Sequence, residues 1–200
     1  MLNNPAARRL ASGIIEPPAR LLLRLHVSPD AVTVFGTVGA IAAALVCFPS
    51  GRFILGVVLI AVFALSDLID GTMARMNGTS GPWGNFLDAT LDRFADGAIF
   101  GGLLMWGVLN GDSGTAAAAT LALVTGQVTS YAKARAEAVG ATANVGIAER
   151  AERIIIALLA AFLTGFGVPY VLPAALWIIG GLGLITIVQR IVVVRRQLRP

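Results

Sequence analysis

Six apolar stretches, near residues 31–49, 53–75, 83–109, 115–139, 152–167 and 170–194, follow one another along this chain with only short interruptions. A helix that crosses a bilayer needs about 20 mostly apolar residues. All the stretches approach or exceed that length except 152–167, which is short. The interruptions are turn chemistry: Pro49-Ser50-Gly51, Asn77 to Pro82, Asn110 to Gly114 and Gly165 to Pro169. With 56% apolar residues in 200 and a mean hydropathy of +0.81, the chain is too apolar for a soluble domain. The pattern predicts an all-α integral membrane bundle of six transmembrane helices.

Ahead of the first span, residues 3–25 mix arginines with leucines and predict an interfacial amphipathic helix, kinked at Pro17-Pro18. The expected organisation is therefore a juxtamembrane segment, 1–29, and a six-helix domain, 30–200. Arg8, Arg9, Arg20, Arg24 and the two prolines break up any signal-peptide core. Cys47 is the single cysteine, so no intrachain disulfide can form. No internal repeat supports an inverted-repeat transporter.

Basic residues cluster before the first span, in the 2–3 and 4–5 connections and in the C-terminal tail; the opposite face holds Arg52 alone. The positive-inside rule then places both termini and the 2–3 connection in the cytoplasm, in a multi-pass protein of the cell membrane. A net charge of +4 points to anionic partners. Because the cations lie beside apolar segments, membrane lipids and phosphorylated substrates fit and nucleic acid does not.

Four carboxylates interrupt this apolar background: Asp67 and Asp70 at the end of the second span, Asp88 and Asp92 at the start of the third. Each pair shares one helix face, at spacings i, i+3 and i, i+4. At about 1.5 Å per residue, Asp70 matches Asp88 at roughly 8 Å below the connecting loop, and Asp67 matches Asp92 at roughly 12–14 Å. Acidic groups at such depth are costly and functional by default. Two unit charges about 4 Å apart interact by roughly 4 kcal/mol at an effective dielectric of about 20. One or two divalent cations relieve that repulsion, and oxygen ligands favour magnesium or manganese.

The full pattern, Asp67-x2-Asp70-Gly71-x2-Ala74-Arg75-x8-Gly84-x3-Asp88-x3-Asp92, matches the signature of the CDP-alcohol phosphotransferase family position for position. Three further segments resemble the actinobacterial phosphatidylinositol phosphate synthases, a branch of that family. They are Ser130 to Glu137, Glu149-Arg150-Ala151-Glu152-Arg153, and the Pro29-Asp30-x2-Thr33 start of the first span. The resemblance implies transfer of a phosphatidyl group from CDP-diacylglycerol to myo-inositol phosphate, with release of CMP, by a homodimer.

Displacement at phosphorus builds charge on attacking, leaving and non-bridging oxygens, which two Mg2+ (or Mn2+) ions clamp in line. Asp67, Asp70 and Asp88 are the expected ligands, with Asp92 at or beside the second ion. The family makes Asp92 the candidate general base for the acceptor hydroxyl. Metals depress its basicity, so positioning that hydroxyl matters as much as taking its proton.

On the CDP-diacylglycerol side, Gly71 leaves room for ligand, or packs a helix. Arg75 can fork onto a pyrophosphate, or set topology. Ser80 and Thr79 can donate to phosphate, or are simply loop polarity. Asp30 can cap the first span, or with Thr33 contact the nucleotide, as the family suggests. For the acceptor phosphate the expected residues are Ser130, Lys133, Arg135, Arg153 and Arg190, with positive-inside charge the competing account for Arg135 and Arg150. Asp96 extends the Asp88–Asp92 face by a turn and reads as a structural residue pairing with Arg93 or a neighbour's cation. Small residues (Gly36, Gly39, Gly180, Gly183 and others) read as helix packing.

Two alternatives stand beside this reading. Glycerol 3-phosphate is the runner-up acceptor. A divalent-cation transporter is the reading from another class, opposed by Arg75 beside the acidic cluster and by that cluster's position near one face.

Overall fold

A computed structural model describes residues 5–147 and 149–199. Residues 1–4, the start of the expected juxtamembrane segment, lie outside the described residues, as do the side chains of Arg8 and Arg9. The described chain is all-helical: α1 (Pro5–Arg24), α2 (Pro29–Cys47), α3 (Phe53–Ala64), α4 (Ser66–Asn77), α5 (Pro82–Leu109), α6 (Ser113–Ala138), α7 (Arg150–Gly165) and α8 (Val171–Leu198). Only Leu65 separates α3 from α4, so the two form one long rod, Phe53–Asn77. Among the described residues, three helical segments are long and apolar enough to cross a membrane: Pro29–Cys47, Phe53–Asn77 and Val171–Leu198. The 16 residues of α7 give a rise of about 24 Å, short of a hydrocarbon core of about 30 Å.

Two compact units make up the chain, one of residues 1–42 and 58–95, the other of 43–57 and 96–200. Their boundaries fall inside α2, α3 and α5.

In the first unit, α1 does more than present an apolar face outward. Ala19 packs with Met73 of α4 and Val32 of α2, flanked by Leu22, Leu23, Val27 and Ile69. The helix continues through Pro17-Pro18, although each proline removes a backbone donor. Gly36 and Gly39 let α2 meet the long rod: a Cβ at Gly36 would fall 2.5 Å from the Ser66 side chain, and one at Gly39 2.3 Å from the Phe63 ring. Phe35 meets that ring edge-on at 5.9 Å.

The second unit is built on α6 and α8. A Cβ at Gly180 would lie 2.7 Å from Leu121, and one at Gly183 2.5 Å from Thr125, so small residues on α8 admit larger ones from α6. Between α6 and α7 the chain runs extended as a strap along α8. Gln197 accepts from the Thr142 N–H at 2.9 Å and donates back to the Thr142 carbonyl at 2.7 Å. Arg190 donates to the Val145 carbonyl at 3.0 Å, and Ile147 N–H donates to the Thr186 hydroxyl at 3.3 Å. These pairings match an extended chain laid antiparallel on a helix: from Thr142 to Ile147 at about 3.3 Å per residue, against Gln197 to Thr186 at about 1.5 Å, both give roughly 16 Å. Ala141 and Ala143 turn inward against Ala136 and Val194. Gly146, at φ +153°, lies so close to Thr186 that a Cβ would fall 2.5 Å from its methyl group.

Candidate active site

The acidic motif lies wholly in the first unit, on α4 and α5. Asp70 is buried at 9% exposure, Asp67 and Asp88 are exposed, and Asp92 is half-buried. The Thr33 hydroxyl lies 3.1 Å from its own Pro29 carbonyl and donates to the Asp70 carboxylate, so α2 fixes the most buried acid of the motif. Asp70 also feels the like charges of Asp88 and Asp30. Asp92 lies 3.9 Å from the neighbouring Arg93 guanidinium. Among the described residues, no three carboxylates, imidazoles or thiols are gathered tightly enough to enclose a metal ion as they stand. Like charges brought together repel one another unless cations lie between them.

The residues around the motif suit an anionic ligand. Arg75, exposed, reaches back along α4; its Nη2 donates to Thr72 Oγ1 at 2.9 Å, and its Nη1 lies 3.6 Å from where a Gly71 Cβ would be. Among the described residues, and apart from the helix's own backbone, no other atom lies within 4 Å of that position. The helix ends at Gly78 in the left-handed conformation, φ +68°, and Ser80 follows in the exposed loop.

Asp30 does not cap α2. Ser28 caps α2, its hydroxyl accepting from the Ala31 N–H at 3.2 Å, and Pro29 takes the first helical position, where a missing donor costs nothing. The Asp30 carboxylate instead accepts from Trp83 Nε1 at 2.8 Å, linking the starts of α2 and α5. This contact joins residues 53 positions apart, and nothing local in the sequence marks it.

In the second unit, three of the expected acceptor-binding residues come together on one turn of α6. Ser130 Oγ and Arg153 Nη2 both lie against the Gly126 carbonyl, at 3.2 and 3.5 Å. Arg190 Nη1 donates to the Thr129 carbonyl at 2.6 Å. Arg153 is 2% exposed and Arg190 4%. The Thr129 hydroxyl, also buried, has no hydrogen-bond partner among the described residues. Lys133 follows Ser130 by one turn and is half-buried. Arg135 is exposed, nine residues from Gly126, which at about 100° per residue is the opposite face of α6. A separate hollow of about 600 Å³, against Val145, Val188, Gln189 and Val192, is too apolar to hold a phosphate.

Comparison with known proteins settles the class. The family model of the CDP-alcohol phosphatidyltransferases matches residues 26–194. The chain belongs to that family. It is 48% identical to phosphatidylinositol phosphate synthase of Streptomyces avermitilis, over 97% of this chain and 83% of that protein. Two crystal structures of phosphatidylinositol phosphate synthase from Mycobacterium tuberculosis have the same fold. One, with CDP-DAG bound, superposes with a TM-score of 0.86 at 42% identity, over 90% of this chain and 93% of that one. The other, in complex with manganese and citrate, also gives 0.86, at 43% identity over 90% and 88%. The protein is thus a membrane-associated transferase of phospholipid biosynthesis, and the cation-transporter alternative falls.

Proposed function

We propose that this enzyme transfers the phosphatidyl group of CDP-diacylglycerol to myo-inositol phosphate, giving phosphatidylinositol phosphate and CMP. The observation that carries the acceptor assignment is the pair of buried guanidinium groups, Arg153 and Arg190, laid against the Gly126 and Thr129 carbonyls of one α6 turn beside Ser130. Two guanidinium groups at one polar turn suit a phosphate, which can accept charge-assisted hydrogen bonds from both. The names of the relatives favour inositol phosphate over glycerol 3-phosphate.

In this reading the new bond joins the acceptor hydroxyl oxygen to the phosphorus that carries diacylglycerol, and the phosphoanhydride bond to CMP breaks. Asp92 orients that hydroxyl and receives its proton. Arg75 forks onto the pyrophosphate over the open face of Gly71, and Ser80, Asp30 and Thr33 hold the nucleotide end. Ser130, Lys133, Arg153 and Arg190 hold the acceptor phosphate, with Arg135 contributing only long-range charge. Oxygen-only donors make Asp67, Asp70, Asp88 and Asp92 a fitting set for two Mg2+ or Mn2+ ions, and Thr33 already orients one of them. When bound, such ions compensate charge on the phosphoryl oxygens and align the displacement.

The same reading makes α2, the α3–α4 rod, α5, α6, α7 and α8 six membrane helices, with the termini and the acidic motif cytoplasmic and the protein a homodimer. The decisive experiment supplies labelled CDP-diacylglycerol with inositol phosphate, free inositol and glycerol 3-phosphate in turn. Inositol phosphate should be the best acceptor and free inositol poor; equal use of free inositol would overturn the assignment.

A further inference from the structure

Helix α7 begins with a cation where its own dipole disfavours one. Arg150 is its first residue, and the partial positive charge of a helix N-terminus repels cations there. A carboxylate from another helix offsets this: Arg150 Nε donates to Asp96 Oδ1 at 3.0 Å. Asp96, on α5, is 4% exposed, and a carboxylate so buried is tolerated only where it is paired and hydrogen-bonded. Buried ion pairs are often no more stabilising than well-packed apolar residues of similar size, and their best-attested use is to fix register. What this pair fixes is the first turn of α7. Arg153 occupies that same turn, its buried guanidinium reaching the Gly126 carbonyl on α6. The same turn is closed at its start by Glu152, which accepts from the Glu149 N–H.

We propose that Asp96, acting through Arg150, is a positioning residue for the acceptor: it holds the first turn of α7 so that Arg153 meets the acceptor phosphate. The proposal rests on the reading of Arg153 as a phosphate-binding group. Neither Asp96 nor Arg150 contacts the acceptor in this scheme.

The test is steady-state kinetics on the purified full-length enzyme, with CDP-diacylglycerol and inositol phosphate varied separately. Asp96→Asn should raise the acceptor KM on the order of tenfold or more and leave the CDP-diacylglycerol KM within about twofold. Arg150→Lys, which keeps the charge, should stay closer to wild type than Arg150→Gln. Because Asp96→Asn removes the carboxylate charge that Arg150 donates to and can unfold the protein, the double variant Asp96→Asn/Arg150→Gln removes both charges together. It should melt near wild type yet keep the acceptor defect. An unchanged acceptor KM in the double variant, a parallel rise of both KM values, or a double variant that does not fold each overturns the proposal. Failure of the underlying reading shows elsewhere: wild type would not use inositol phosphate, or Arg153→Gln would leave the acceptor KM unmoved, and the proposal falls with it.

Discussion

Arg190 Nε donates to the carbonyl oxygen of Val145 at 3.0 Å, so a guanidinium buried on α8 holds the strap that follows α6. The same side chain reaches the Thr129 carbonyl beside Ser130. One residue therefore ties α8 both to the strap and to the α6 turn of the proposed acceptor subsite. Arg190→Gln should lose a charge-assisted hydrogen bond to the acceptor phosphate, about 1.5–3 kcal/mol, or roughly a 10- to 150-fold rise in acceptor KM. It should also loosen the strap, read as faster amide hydrogen exchange over residues 141–147. An acceptor KM like that of wild type would remove Arg190 from the subsite.

Gly71→Ala separates ligand space from packing space. Among the described residues, Arg75 Nη1 lies 3.6 Å from the new methyl group, which is ordinary contact. Alanine also favours a helix interior by about 0.8–1.0 kcal/mol over glycine. The variant should therefore melt no lower than wild type and yet lose activity, with the CDP-diacylglycerol KM rising. Full activity would make Gly71 an ordinary helix residue.

These two residues show how far sequence carries. The helices were legible because turn residues bound each apolar stretch: the expected spans 53–75 and 83–109 correspond to Phe53–Asn77 and Pro82–Leu109. Ser130, Arg153 and Arg190 were legible as polar groups at the ends of apolar segments, and they do meet on one α6 turn. The strap was not, because its partners Thr142 and Gln197 lie 55 residues apart and nothing local marks an extended chain pairing with a helix. Asp30 illustrates competition between equivalent caps: Ser28, two residues earlier, satisfies the helix N-terminus and frees the carboxylate for Trp83. Asp96 was recognised as a pairing residue, but its partner, Arg150, is fixed by tertiary packing alone.

Asp112 gives a pH-dependent contribution at the opposite end of α6 from Ser130 and Lys133. Its carboxylate caps the helix, accepting from the Thr115 hydroxyl at 2.6 Å and the Thr115 N–H at 2.9 Å. Chiefly through the Thr115 hydroxyl, these bonds hold its pKa below the usual carboxylate value. A group whose folded pKa is depressed stabilises fully above its unfolded value, near 3.9, and loses that contribution as pH falls through the folded value. Asp112→Ala should cost about 1 kcal/mol at pH 7. The gap from wild type, followed by thermal melting, should narrow only below about pH 4. A gap that is constant down to strongly acidic pH would show that the charge on the cap contributes nothing.

The four motif acids can be tested without relying on turnover alone. Asp67→Asn, Asp70→Asn, Asp88→Asn and Asp92→Asn each preserve side-chain shape and remove one charge from a group of like charges. Asparagine at 70 can still accept from Thr33, so the contact between α2 and α4 survives. Without added metal, the variants should melt at or above the wild-type temperature, because repulsion of the Asp70 and Asp88 kind is relieved. With magnesium or manganese, wild type should gain stability as the ions bind the folded state, by about 2.7 kcal/mol at a hundred times the dissociation constant, and the variants should gain much less. Turnover should be abolished in all four variants, and in wild type after chelation until metal is restored. Wild-type activity in two or more variants with magnesium present, or equal stabilisation by metal in variants and wild type, would show that these acids do not hold the ions.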